Sequence, residues 1–249
     1  MTAFLAALQF LLLTPAFIRR AFTANEMGRA VAFYPLVGLL LGGILILADA
    51  ALGLVFPLTV RSALVLGLWI VLTGGLHLDG FLDTCDGLLG GSTPERRMEI
   101  MRDERVGAYA LAGGVLLLLT LFGSLSTITL GRWAVLLLAP VLGRWGISLA
   151  VVIFPYARES GLGRDIKDYA GRPELTLATA IMLIVVAIAA VLLRSAVPII
   201  ALLAAGAIFW ISTRFILGRI PGMTGDTYGA INMLIEAGVL LVFVAMLGG

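Results

Sequence analysis

One cysteine and one histidine occur in 249 residues, and only 13% of the chain is charged. The lone thiol, Cys85, excludes an internal disulfide and fits a reducing compartment. His77 stands alone inside an apolar run, which reads as a packed or hydrogen-bonding residue and not as a metal ligand. No polar stretch is long enough to bury a core of its own, so no separate soluble domain is expected, and neither a low-complexity segment nor an internal repeat is present. No basic run carries interleaved aromatic residues, which argues against nucleic acid as a partner. Short segments alternating apolar and polar residues are also missing, which excludes a transmembrane β-barrel. Lysine occurs once, as Lys167; the other basic residues are arginine, which suits bidentate phosphate contacts and equally fits a GC-rich genome.

What the chain has instead is apolar length. Hydrophobic residues make up 61%, and the mean hydropathy is +1.09, far from a soluble domain. Runs near the roughly 20 residues needed to cross a bilayer recur at 30–50, 61–78, 107–127, 131–154, 174–193, 197–217 and 228–248. The expected fold is an all-α polytopic transmembrane helix bundle of about seven spans, since helices satisfy their own backbone in lipid. Membrane lipids are then contacts of the chain, and small-residue faces make a homo-oligomer compatible with it. Thr2 to Ile18 is apolar but short and interrupted by Pro15. No basic residue precedes it and no small-residue cleavage pattern follows, so it is expected to be retained as an interfacial or re-entrant helix.

Arginines gather on one side of these spans. Arg19, Arg20 and Arg29, then Arg96, Arg97, Arg102 and Arg105, then Arg158, Arg164, Lys167 and Arg172, and finally Arg214 and Arg219 fall in connections of one sidedness. Only Arg61, Arg132 and Arg194 fall on the other. The positive-inside rule puts the long charged loops in the cytoplasm. The chain reads as a single integral membrane domain over 1–249 whose loops near 79–106, 155–173 and 218–227 form the site.

Within the first of these loops, Asp79, Asp83 and Asp86 stand at i, i+4 and i+7. On a helix they share one face, where like charges repel, and a cation between them resolves the repulsion; Mg²⁺ bridging carboxylate and phosphate oxygens is the best match. The plainer alternative is a solvated helix end. Gly80 and Gly87 beside the acids are expected to leave room for something bulky. Downstream, Arg102 and Arg105 are expected to share a helical face with Asp103 and to contact phosphate, whereas Glu95, Arg96, Glu99 and Glu104 read as an exposed, salt-bridged surface. Arg158 and Arg164 flank the glycine turn Gly161-Leu162-Gly163, either an anion clamp or a solvated loop. Asp226 occupies an N-cap position, with a metal or base carboxylate as the alternative. Asn232 and Glu236 follow it into the last span. A carboxylate at such depth is functional by default, and pairing with Arg144, the buried cation of the span 131–154, is the structural alternative for both.

Three segments together resemble one family. Gly75-Leu76-His77-Leu78-Asp79-Gly80-Phe81-Leu82-Asp83-Thr84-Cys85-Asp86-Gly87, Ile100-Met101-Arg102-Asp103-Glu104-Arg105-Val106-Gly107-Ala108-Tyr109 and Gly225-Asp226-Thr227-Tyr228-Gly229-Ala230 are similar in order and spacing to the signatures of cobalamin synthase, adenosylcobinamide-GDP ribazoletransferase. Leu8-Gln9-Phe10-Leu11 and Tyr34-Pro35-Leu36-Val37-Gly38 extend the likeness over nearly the whole chain. Cys85 stands where alanine is usual in the family, and Glu104 where a small residue is common. The resemblance implies a Mg²⁺-requiring enzyme of the inner (cytoplasmic) membrane of a prokaryote that joins adenosylcobinamide-GDP to α-ribazole or its 5′-phosphate and releases GMP. On that reading Asp79, Asp83 and Asp86, with Asp226, are the candidate metal ligands, Arg102 and Arg105 clamp phosphate, and one carboxylate not fully engaged by metal, with Asp83 as the candidate, takes the acceptor's proton. Asp103, Arg158, Arg164, Asn232, Glu236 and Arg144 complete the candidate substrate contacts.

Two rival readings remain. Asp83-x-x-Asp86-Gly87 is similar to the first half of the CDP-alcohol phosphotransferase signature, but Leu88 and Leu89 stand where Ala-Arg would follow. A transporter using Glu236 and Arg144 is the other rival; transporters concentrate ionisable groups near the midplane in broken helices, whereas nearly all acids here fall in loops.

Overall fold

The computed structural model describes residues 1–248. It is helical, with no β-strand among the described residues: α1 (Thr2–Leu11), α2 (Ala24–Ala30), α3 (Tyr34–Leu52), α4 (Leu58–Leu72), α5 (Leu76–Gly90), α6 (Pro94–Ile100), α7 (Ala108–Thr127), α8 (Arg132–Ile153), α9 (Leu162–Tyr169), α10 (Arg172–Leu193), α11 (Val197–Leu217) and α12 (Gly225–Leu247). Six helical stretches are long and apolar enough to cross a membrane, with α2 and α3 counting as one of them across a short 3₁₀ turn. A seventh exists if the bent pair α4 and α5 is taken as one span. The chain is therefore a multi-pass membrane protein.

The expected span 61–78 is where sequence and structure part. The expected span runs on through Thr73, Gly74 and Gly75 to Leu78, but Gly74 and Gly75 adopt φ of +60° and +70°, a left-handed backbone that glycine enters without steric cost. The helix stops there, and α5 leaves at 87° to α4. Run length cannot register such a bend, because no charged residue falls between the two arms before Asp79.

The N-terminal helix is ten residues long, about 15 Å and so about half the hydrocarbon thickness, consistent with an interfacial or re-entrant segment. Its exit is pinned. The Ile18 N–H donates to the Gln9 side-chain oxygen at 2.8 Å and the Gln9 amide returns a bond to the Ile18 carbonyl at 3.2 Å. The Leu13 N–H donates to the Leu72 carbonyl at 2.7 Å, which ties this segment to the α4–α5 bend.

At the centre lies α8, the helix with the most buried residues. Gly38 and Gly42 of α3 lie so close to Pro140 and Leu137 that a Cβ would fall 2.5 and 2.8 Å from α8 backbone atoms; small residues let the two backbones meet. On the other flank, Arg144 of α8 donates to Glu236 of α12 at 2.7 Å, with both side chains buried. The proposed pairing of these two residues is thus observed. At the end of the bundle where the α3–α4 and α7–α8 connections lie, Arg132 and Arg61 converge on Asp49 at 2.8 and 3.3 Å, and Arg132 also reaches Ser62. Two of the three arginines assigned to that side therefore share one carboxylate inside the protein, that of an aspartate the reading of the loops passed over.

Candidate active site

Three connections meet at the opposite end. The loop after α8 is stitched to the loop before α12 by a two-bond parallel bridge, Ala157 N–H to Met223 O and Met223 N–H to Pro155 O, both 2.8 Å. Arg97 of α6 donates to the Arg219 carbonyl at 3.0 Å, joining the connection that follows α5 to the same assembly. The bridge delivers Arg158 to Asp226, where the guanidinium and carboxylate meet at 2.6 Å, each about four-fifths buried.

Asp226 is not the N-cap of α12. That role belongs to Thr224, whose hydroxyl accepts from the Thr227 N–H while Thr227 reciprocates. The carboxylate of Asp226 is thereby free for Arg158, with a further bond from the Thr224 hydroxyl at 3.3 Å.

Next to Asp226 runs α5. A Cβ on Gly80 would fall 2.8 Å from the Asp226 carbonyl oxygen, and one on Gly229 of α12 would fall 3.0 Å from the His77 carbonyl. The two helices cross backbone to backbone through this glycine pair. The expectation that Gly80 and Gly87 leave space for a ligand is overturned: the Asp226 backbone fills the first, and Met101 with the Arg97 carbonyl fills the second. Their smallness serves helix approach, and that approach brings the α5 acids alongside Asp226.

The acids themselves differ. Asp79 is exposed and Asp83 half-buried, and neither has a hydrogen-bond or ion-pair partner among the described residues. Asp86 is buried at 8% exposure and accepts the Gly107 and Ala110 N–H groups at 2.6 and 2.8 Å, one on each oxygen. It anchors the N-terminus of α7, where a negative charge meets unpaired N–H groups. Asp79, Asp83 and Asp86 together line a recess of about 270 Å³ with Arg102, Asp103 and Arg105. The expected helical face for these arginines is not formed, since α6 ends at Ile100 and residues 101–107 are turns and bends. Arg102 reaches the recess from this turn, and Arg105 forms a bidentate pair with Asp103 at 2.9 and 2.7 Å. That guanidinium holds the Asp103 carboxyl well below its usual range, at about 2. Arg96 and Glu99 pair at the surface at 2.6 Å, as expected.

Other candidates lie elsewhere. Arg164 pairs with Asp168 on the half-exposed side of α9 at 3.0 Å. Asn232, Glu236 and Arg144 are buried between α8 and α12 and do not line the recess; the structural alternative describes their observed contacts. Cys85 packs on Gly113 of α7, where a Cβ would fall 2.8 Å from its sulfur, so the unusual thiol is met by a missing side chain.

No three His, Cys, Asp or Glu side chains converge to hold one metal ion among the described residues. The donor set nonetheless fits Mg²⁺, which takes one or two carboxylates and completes its shell with water and substrate phosphates instead of a protein cage. Asp79 and Asp83 are unpartnered oxygen donors one helical turn apart, and Asp226 lies across the glycine crossing.

Apolar spans, a broken helix carrying acids and an arginine-bearing rim define a multi-pass membrane protein with an ionic recess at one end. The model of the family described as cobalamin-5-phosphate synthase matches residues 3–244, and the chain belongs to that family. Among its relatives are the adenosylcobinamide-GDP ribazoletransferases of Stutzerimonas stutzeri (strain A1501), 39% identical over 97% of both chains, and of Desulforamulus reducens, 38% identical over 97% of this chain and 95% of the relative. That of Pseudomonas fluorescens is 40% identical over 97% of this chain and 98% of the relative. The protein is thus an enzyme, a transferase of cobalamin assembly. No solved structure matches the chain.

Proposed function

We propose that the chain joins adenosylcobinamide-GDP to α-ribazole or α-ribazole 5′-phosphate, releasing GMP, at the cytoplasmic face of a prokaryotic inner membrane and with Mg²⁺ required. The observation that carries this reading is the shared recess of Asp79, Asp83, Asp86 and Arg102, with the Asp226–Arg158 pair held against it by the α5–α12 crossing. A diphosphate needs cations around non-bridging oxygens and an acceptor of the incoming hydroxyl proton, and the recess supplies groups of both kinds.

The acceptor hydroxyl oxygen bonds to the phosphorus that carries the cobinamide, the bond from that phosphorus to the GMP oxygen breaks, and the hydroxyl proton passes to a carboxylate. Asp83, half-buried and unpartnered, would receive it on a carboxylate oxygen not engaged by metal. Arg102 and Arg158 bind non-bridging oxygens. Asp79 and Asp83, with Asp226, are the residues that would hold Mg²⁺, which supplies neutralisation of charge on the diphosphate as GMP departs. Asp86 shapes the recess by fixing the start of α7. The arginine-rich loops at this end support a cytoplasmic orientation.

The test is Asp83→Asn in membrane-inserted protein. Loss of GMP release by about a hundredfold or more is expected for removal of a general base; a wild-type rate would sink the proposal. A CDP-linked alcohol offered in parallel should yield no nucleotide, and its turnover would favour the lipid-synthesising rival.

A further inference from the structure

An apolar groove of about 650 Å³ runs between α7 and α11, with α5 and α12 as its floor. Leu116 of α7 and Ile211 of α11, on its two walls, are each 66% exposed, so the groove opens sideways. Because α7, α11 and α12 are all long and apolar enough to cross a membrane, that opening faces lipid. Phe81, Cys85 and Leu88 of α5 line it, whereas Asp79, Asp83 and Asp86 line the recess. The same helix thus turns an apolar face to the groove and its acids to the site.

Length and charge narrow the occupant. Along α12 the lining runs from Ala230 to Leu241, about 17 Å at 1.5 Å per residue, close to half of the roughly 30 Å hydrocarbon thickness. That is the depth of one leaflet and the reach of one acyl chain; a membrane-crossing helix of a second copy would need a groove about twice as long. The groove starts at the recess end, where α5 and α11 finish. There the Arg219 guanidinium lies over the Phe215 ring, 3.5 Å from its centroid, and Phe215 is part of the groove wall. Arg97 donates to the Arg219 carbonyl and lies against Gly91, where a Cβ would fall 2.5 Å from its Cγ, two residues beyond Leu89 of the lining. Both arginines are half-buried, and neither meets a carboxylate among the described residues. Two uncompensated cations at the end of a slot of acyl-chain length complement a lipid whose head carries net negative charge. We infer that the groove is a binding site for one anionic phospholipid, its acyl chain between α7 and α11 and its phosphate on Arg97 and Arg219.

The test uses the full-length protein in nanodiscs of equal parts phosphatidylglycerol and phosphatidylcholine with identical chains, released into native mass spectrometry to count the lipids retained. Wild type is expected to keep one phosphatidylglycerol, favoured over phosphatidylcholine about tenfold or more, the scale of two arginines acting on one headgroup charge. Arg97→Gln with Arg219→Gln should bring that ratio near one. Leu234→Trp, from the half-buried floor of the groove, should abolish retention of both lipids. Arg194→Gln, an exposed arginine at the other end of the bundle, should leave the ratio unchanged. Thermal unfolding establishes that each variant is folded, and the arginine and tryptophan variants test headgroup and chain independently. Equal retention of the two lipids by wild type, a preference that survives loss of both arginines, or a folded Leu234→Trp protein that keeps its lipid would overturn the assignment. A lipid-free dimer would also overturn it and give the groove to a second copy. No readout involves nucleotide, so failure of the proposed reaction would leave the lipid site standing.

Discussion

Gly80→Ala adds one methyl group where α5 crosses α12. That methyl would start 2.8 Å from the Asp226 carbonyl oxygen and 3.0 Å from its Cα, where ordinary contact begins near 3.4 Å. The obstacle is backbone and cannot rotate aside, so the helices must separate by about 0.6 Å. Alanine recovers up to about 1 kcal/mol of helix propensity, while overpacking costs about 1–3 kcal/mol, leaving a net loss of roughly 0–2 kcal/mol. The protein should fold. Catalysis should suffer more than stability, because Asp79 and Asp83 lie on one side of the crossing and Asp226 on the other, and a misplacement near 1 Å costs about a hundredfold. GMP release should fall about ten- to a hundredfold, with only a few degrees lost in thermal unfolding. Gly123→Ala in α7, where a Cβ meets nothing within 4 Å, is the matched control and should change neither. A folded Gly80→Ala protein turning over at the wild-type rate would refute the claim that this crossing sets the geometry of the acids.

Three further outcomes follow from the contacts. Asp86→Ala should destabilise the protein by about 2–3 kcal/mol in chemical or thermal unfolding, because two α7 N–H groups lose a charged acceptor, and Asp86→Asn should recover part of that loss by accepting one of them. Arg158→Ala should raise the donor KM about tenfold through loss of a charge-assisted contact, measured by GMP release, and should also lower thermal stability, because the mostly buried Asp226 carboxylate loses its ion-pair partner. Arg144→Met alone should cost about 3–5 kcal/mol because Glu236 is left charged and unpaired, whereas Arg144→Met with Glu236→Leu should restore most of it; a double variant as unstable as the single one would contradict a purely structural role for the pair.

The acid motif was legible because its chemistry is local: three carboxylates at helical spacing mark one face whatever the rest of the chain does. The Arg144–Glu236 pair was legible for a related reason, since an isolated charge in each of two apolar runs has few other solutions. The bend at Gly74 and Gly75 was not, because hydropathy is blind to φ. Arg102 and Arg105 were placed on a helix by alternating charge, yet Asp103 spends its oxygens on Arg105 and residues 101–107 form turns. Gly80 was taken for empty space because its filler, the Asp226 backbone, is far away in sequence. Asp49, which gathers Arg61 and Arg132, carried the same signal as Glu236, a carboxylate inside an apolar run, and was overlooked.

The central claim is that the acids of α5, with Asp226, serve metal-assisted transfer from a nucleotide diphosphate. Its most direct test is GMP release by the purified full-length protein given adenosylcobinamide-GDP and α-ribazole, with Mg²⁺ present, removed by chelation and restored. The account predicts release that stops on chelation and returns with Mg²⁺; release that continues unabated in excess chelator, or none under any of these conditions, would contradict it.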